Sequence, residues 1–346
     1  MSFPYKGKPV DAKEIGKELG VRYVLEGSVQ RDQNRVRVNA QLIDAESGAH
    51  LWADRFEEDA SDLFKLQDQV VARLANSLGY ELAKAEAEKG GRSHSPDAID
   101  LTMRGQALLQ QATLTQDSNK AARALFEQAL AIDPNYAAAL GGDAYTYHVD
   151  YVYGWTNPKT DYDAKIIAQA DRALALDPNS GWAHAAKCAY LNVSQRPNEA
   201  LSCADAALAV NPNFAPLYAW RGVAETSLGR FEQAKSDLRQ AMRLSPRDPK
   251  MGVWHMQLGG AELEQGHYDG AIDELRKALD VGYRTHIVYG NFAAASALEG
   301  KMDEAKSALA EARRLNPSFT VKWAIAHSPN LPRAFEGLRK AGLPEE

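Results

Sequence analysis

His184, Cys188 and Cys203 are the grouping in this 346-residue chain whose residue types and spacing come nearest to metal or redox chemistry. His184 and Cys188 stand four residues apart, so they share one face of a helix. Cys203 falls at about the same level on the antiparallel helix that follows. Zinc binding and a disulfide are both open to such a trio. A plainer reading stands against them. Cys188 occupies a small-residue position of a repeated helix pair, where cysteine behaves as a small hydrophobe. Inert thiols are expected, with no metal site and no cofactor. The chain also carries no Walker-type loop, nucleophile elbow or HExxH, so no catalytic residue is assigned.

Composition narrows the classes further. Charged residues make up 25% and apolar residues 45%, ordinary proportions for a folded globular chain. A net charge of -6 argues against a general nucleic-acid partner, which needs a basic stripe to neutralise phosphates. It argues equally against an anionic membrane surface. No run of about 18 apolar residues is present for membrane insertion, and the first residues hold no signal-type apolar region. The expected compartment is the cytoplasm, with the periplasm as the alternative if a longer protein carries a membrane helix.

The elements that must position any site fall into two kinds. Residues 11–19 suit a short helix. In "VRYVLEGSVQRDQNRVRVNAQLIDAESGAHLWADRF" apolar and polar residues alternate: Tyr23, Leu25, Gly27 and Val29, then Val36, Val38, Ala40 and Leu42. Period-two patterning broken by "RDQN" and "AESG" predicts a three-stranded antiparallel meander with one buried face. A helix over 61–88 carries Phe64, Leu66, Val70, Val71, Leu74 and Leu78 to lie on that face. "KGGRSHSPD" breaks the pattern and sets the boundary.

Beyond it the chain repeats. "LGRFEQAKSDLRQAMRLSP" and "EGKMDEAKSALAEARRLNP" share Gly, Ala, Leu, Ala and Pro at matched places. One alanine recurs at Ala129, Ala173, Ala207, Ala241, Ala278 and Ala312, in steps of 44, 34, 34, 37 and 34. A small partner recurs at Gly105, Gly141, Cys188, Gly222, Gly259 and Ala293. Closing prolines stand at Pro134, Pro178, Pro212, Pro246 and Pro317. The 34-residue step and these small residues identify tetratricopeptide repeats. The long step marks about ten extra residues around "VYGWTNPKTD". The aromatic stretch "YTYHVDYVYGW" before it is expected to pack, through Tyr147 and Tyr151, as an overlong first helix rather than to serve as a sticky wall.

The predicted fold is mainly α: a superhelix of about six repeats over 98–317, closed by a capping segment at 318–346. It follows a linker at 89–97 and a small α/β domain at 1–88. In such a superhelix the first helices line a concave groove. The groove positions are Gln106, Tyr145, Ala185, Ala189, Ala219, Val223, Met256, Gly260, Gly290 and Ala294. They are mostly small or apolar and lack the lysines and asparagines of carboxylate-clamping relatives. A protein or peptide partner with an apolar segment is therefore expected.

Residues 2–85, most of all "LGVRYVLEGSV" and "RVRVNAQLIDAESGAHLWADRF", resemble the TolB-like segment of bacterial signalling proteins. These include class III adenylate cyclases and membrane regulators with a winged-helix output domain. The resemblance implies an interaction and regulatory role beside a signalling output. It also implies that a strand and helix ordinarily come before "SFPYKGK", so the front domain is expected to be truncated, with self-association through its sheet. The paired metal-binding aspartates of a cyclase catalytic domain have no counterpart here. The alternative is a cyclase-family protein of which this is the non-catalytic C-terminal part.

Overall fold

A computed structural model describes residues 11–32, 35–59, 70, 98–111, 114–157 and 159–346. The chain divides into two units, residues 1–88 and 89–346.

In the first unit, helix α1 (Ala12–Leu19) starts at Asp11, whose carboxylate accepts from the Lys13 N–H. It ends at Gly20, left-handed at φ 65°. Three antiparallel strands follow in the order β1 (Tyr23–Asp32), β2 (Arg35–Asp44) and β3 (His50–Asp59). Because side chains alternate along each strand, Val36, Ala40, Leu42, Trp52 and Phe56 gather on one face and are buried there. The other face is polar. Asn39 donates to Ser28 at 3.2 Å, Gln41 donates to Glu26 at 2.9 Å, and Arg37 pairs with Glu57. Tyr23, Val38, Leu51 and Val70 pack around the buried cluster. Of the predicted covering helix only Val70 is described; the rest of 61–88 and the linker 89–97 lie outside the described residues. Leu25 and Val29, on the apolar side of β1, remain 47% and 70% exposed.

The second unit is a stack of helix pairs. They are α2 (Ala98–Leu109) with α3 (Gln116–Ile132), and α4 (Ala137–Tyr153) with a π-helical stretch (Asp163–Ala168) running into α5 (Gln169–Leu176). Next come α6 (Gly181–Val193) with α7 (Pro197–Val210), and α8 (Ala215–Ser227) with α9 (Phe231–Leu244). The last two pairs are α10 (Met251–Gln265) with α11 (Tyr268–Asp280), and α12 (His286–Glu299) with α13 (Met302–Leu315). Two shorter helices, α14 (Val321–His327) and α15 (Pro332–Ala341), close the array.

The joints between pairs are built by sequence. The residue before the closing proline is Asp or Asn in four repeats, and its side chain accepts from the N–H two residues on. The distances are 3.0 Å at Asn135, 3.0 Å at Asn179, 3.3 Å at Asn213 and 3.1 Å at Ser318. Such a turn ends one helix and aims the next. The six recurrent alanines, Ala129 to Ala312, are all fully buried. Gly222 and Gly259 let the paired helices close up: a Cβ there would come within 3.0 Å of Leu238 and 2.8 Å of Leu275.

One repeat differs from the sequence reading. Gly141 does not face its own partner helix; a Cβ on it would meet the Ala183 backbone nitrogen at 2.6 Å, in the next repeat. Ala144 takes the position inside the second pair, in one buried cluster with Ile166. The register runs three residues later than the glycine suggests, because two small residues in one helix offered two solutions.

Ala241 tests this packing. It is fully buried among Ala215, Leu238 and Trp254. Ala241→Glu places an unpaired carboxylate in a close helix contact and is expected to cost on the order of 3 kcal/mol. A thermal or urea melt unchanged from the parent would show the helical register to be wrong.

Candidate functional site

The inner face of the array is where sequence reading placed a groove, and the structure largely fills it. Ala185, Ala189, Ala219, Val223, Gly260, Gly290 and Ala294 are buried, whereas Gln106, Tyr145 and Met256 are half-buried. Ala219 packs in one cluster with Trp254 and Leu258 of α10. A Cβ on Gly290 would meet Phe319 at 2.8 Å, and Gly337 of α15 sits hard against Ala294. Ala219, Gly290 and Ala294 thus serve close packing with neighbouring helices. Beside Gly260 there is space, since a Cβ on it would meet nothing within 4 Å.

What fills the inner face is the array itself. Units far apart in the stack touch across it. Lys250, at the start of α10, donates to the Gln111 carbonyl beyond α2 at 2.8 Å. The Tyr153 hydroxyl, from the second repeat, hydrogen-bonds at 3.2 Å with that of Tyr283, in the turn between α11 and α12. Gln195, after α6 of the third repeat, donates to the Ser328 carbonyl beyond α14. The aromatic stretch supplies most of this closure. α4 runs 17 residues, against 13 for α6 and α8, and its last turns carry Tyr151 and Tyr153 across. Tyr151 meets Tyr162, Tyr190 and His327 at 5.5, 5.2 and 5.8 Å between ring centres. Tyr153 stacks on Trp155 at 4.8 Å. Tyr147 lies under the Arg123 guanidinium at 4.0 Å.

Two histidines are held neutral in this interior. Burial pushes His148 down to about 3; its ring lies between Tyr145 at 5.3 Å and Trp220 at 5.6 Å. His286 sits among Tyr153, Phe319 and Trp323, and burial, reinforced by nearby His327, lowers it to about 4. Below them Arg123 pairs with Asp150 at 2.7 Å and Asn119 donates to the same carboxylate at 2.8 Å, tying α3 to α4. Burial raises Asp143 to about 6, although Gln169 donates to it at 2.6 Å.

The cysteines correct the expectation of inert thiols. Cys188 and Cys203 are joined in a disulfide, with Cα atoms 5.6 Å apart, inside the range a bridge spans. Antiparallel pairing of α6 and α7 brings them to one level, as their spacing allowed. The small-residue slot that argued for a lone thiol is the contact that lets the partner sulfur reach. His184 takes no part; its Nε2 meets the Pro178 carbonyl at 2.9 Å. Among the described residues no group of His, Cys, Asp and Glu is arranged to hold a metal ion, and no helix is long and apolar enough to cross a membrane.

Residues 215–248, α8 with α9, match the tetratricopeptide-repeat family model. "Putative adenylate cyclase 3" of Rhizobium meliloti (strain 1021) is 37% identical over 202 residues, which is 58% of this chain and 34% of that protein. The chain thus spans about a third of the length of that relative. Hsc70-interacting protein 1 of Drosophila melanogaster is 37% identical over 80 residues, 23% of this chain and 21% of that one. Among solved structures, the Cut9–Hcn1 hetero-tetramer of APC/C is similar with a TM-score of 0.55 at 16% identity, over 73% of this chain and 46% of that chain. Human IFIT1 with m7Gppp-AAAA gives 0.54 at 16% identity, over 71% and 56%. These likenesses show a tetratricopeptide-type superhelix for the second unit.

Two outcomes follow from this interior. The bridge closes a loop of 15 residues, which corresponds to about 3 kcal/mol of stability. Alkylation of the unfolded chain is expected to label neither cysteine before reduction and both after it. Labelling without reductant would mean that the thiols are free. His286 makes stability depend on acid. Its folded pKa lies below the unfolded value of about 6.5, so the unfolded state binds more protons as pH falls through 6.5 towards 4. Between about pH 7 and pH 5 this costs about 2 kcal/mol. In urea melts, His286→Gln is expected to shrink the acid loss by that amount. Equal losses in parent and variant would place His286 in a wetter setting.

Proposed function

We propose that this chain is a non-catalytic partner-binding module of a bacterial cyclic-nucleotide signalling protein. The observation that carries the reading is the 37% identity over 202 residues to "Putative adenylate cyclase 3" of Rhizobium meliloti. The front unit then corresponds to the TolB-like segment that its strand sequences resemble. The repeats bind a protein partner's apolar segment, as tetratricopeptide arrays do. Gln106, Tyr145 and Met256 are the groove positions left partly reachable. Nucleic acid is a poor partner at a net charge of -6.

A second reading concerns the compartment. The Cys188–Cys203 bridge favours an oxidising one, hence the periplasmic alternative over the cytoplasmic one. Trapping thiols with a membrane-permeant alkylator in the native cell decides between them. A reduced pair there places the chain in the cytoplasm.

The functional reading has a direct test. Incubated with ATP or GTP and magnesium or manganese, the chain alone is expected to make no cyclic nucleotide above buffer. Added in excess to a separately purified class III catalytic domain, it is expected to change that domain's rate. Product from the chain alone, lost on a point substitution within it, would make it an enzyme and overturn the proposal.

A further inference from the structure

α14 is held differently from the other helices of the array. It has seven residues and buries only Val321 and Ala324. Ile325 on its outer side is 41% exposed. A helix this short has little stability of its own. Its Trp323 reaches out of the last repeat and seats against the end of α4. The indole stacks on His327 at 4.5 Å and meets His286 edge-on at 4.9 Å and Phe319 at 5.6 Å. On the far side it rests on the bare backbone of Gly154. A Cβ there would stand 2.6 Å from the indole nitrogen, and Gly154 is left-handed at φ 69°, where a side chain is strained.

The last carbonyls of a helix have no partner within it. Here donors from the second and third repeats supply what α14 lacks. The Tyr151 hydroxyl donates to the Ala326 carbonyl at 3.4 Å. The Gln195 amide donates to the Ile325 carbonyl at 3.4 Å and also to that of Ser328. Gln195, at the turn between α6 and α7, is the one non-glycine residue with positive φ, 62°, among the described residues. Apart from the indole and the His327 ring, which Tyr151 meets at 5.8 Å, these contacts are made to backbone atoms, which every helix end presents. On either side of α14 the chain is anchored independently. Phe319 is buried in the last-repeat core, and Glu264 accepts from the Arg333 and Ala334 N–H groups at 3.2 and 2.8 Å to start α15.

We infer that Tyr151, Gly154, Gln195 and His286 form a receptor for the C-terminal turn of a tryptophan-bearing helix, and that the chain's own Trp323–Ser328 turn is an exchangeable occupant of it. A partner presenting an indole, followed by helix-end carbonyls two, three and five residues on, replaces that turn. Its arrival frees α14 from the end of α4. The inference deepens the reading of the chain as a partner-binding module and rests on it.

The probe is a fluorescent peptide of residues 318–330, SFTVKWAIAHSPN, beside the same peptide carrying W323A. Anisotropy is measured against the full chain and against its Trp323→Ala variant, whose fold is checked by circular dichroism. The peptide is expected to bind the vacated variant about tenfold more tightly than the parent, and the W323A peptide to bind neither. Equal binding of the two peptides to the variant, or none, would overturn the inference. If Trp323→Ala does not fold, amide exchange on Gln195→Ala takes its place. Residues 321–328 should then exchange about tenfold faster than in the parent while 302–315 stay unchanged. Unchanged exchange at 321–328, or equal acceleration in both segments, would show α14 to be a fixed part of the core. No natural partner is needed, so failure here leaves the signalling proposal standing, and failure of the cyclase assays leaves this slot intact.

Discussion

The contact that the inner face depends on lies between the second repeat and the sixth. Tyr153 meets Tyr283 by hydroxyl, and its ring lies 6.1 Å from His286. Stacked repeats need only their neighbours. This array adds a second order of contact, between units far apart in the stack, made also at Lys250 with Gln111 and at Gln195 with Ser328 of the capping segment. With these contacts in place, most of the groove positions on the first helices are buried. Their small residues become inter-helix packing, and the polar groups between them are drawn out of water. The low pKa of His286, whose ring faces Tyr153 across this contact, follows from that burial.

Closure explains the longest step in the repeat, the 44 residues from Ala129 to Ala173. Extra residues between two helices of a repeat ordinarily form a loop. Here part of the length extends α4, and Gly154 and Trp155 then turn the chain where it meets the last repeat. Insertion and aromatic density belong together. The added turns would be unstable in solvent without the rings that bury them against Tyr162, Tyr190 and His327.

Much of this was legible in the residues. Six alanines at matched places located six buried contacts, because a repeat writes its packing into one short period. The strand alternation fixed which of Val36, Ala40 and Leu42 would turn inward. The interior was not legible. Nearest-neighbour spacing says which residues face the next helix, but the superhelical pitch decides whether units far apart touch. That pitch depends on many small packing choices. The disulfide was half-visible: spacing brought the sulfurs level, and only the distance between α6 and α7 could decide bonding. Gly141 misled because Ala144, three residues on, is as small, and the sequence alone offers no tie-breaker.

Contacts between units far apart in the stack also bear on how this array can change in evolution. An ordinary solenoid gains or loses a repeat by duplication at little cost, since each unit meets only the next. Here, deleting one repeat between the second and the sixth would bring Tyr153 opposite the wrong partner and leave Gln195 and Lys250 without their carbonyls. Duplicating one would do the same. Repeat number in this region is thereby fixed by geometry, and its divergence is confined to substitution and to loop length. The cross-contacts reach from Gln111 in the first repeat to Ser328 in the capping segment, so only beyond these two residues are whole units free to be added.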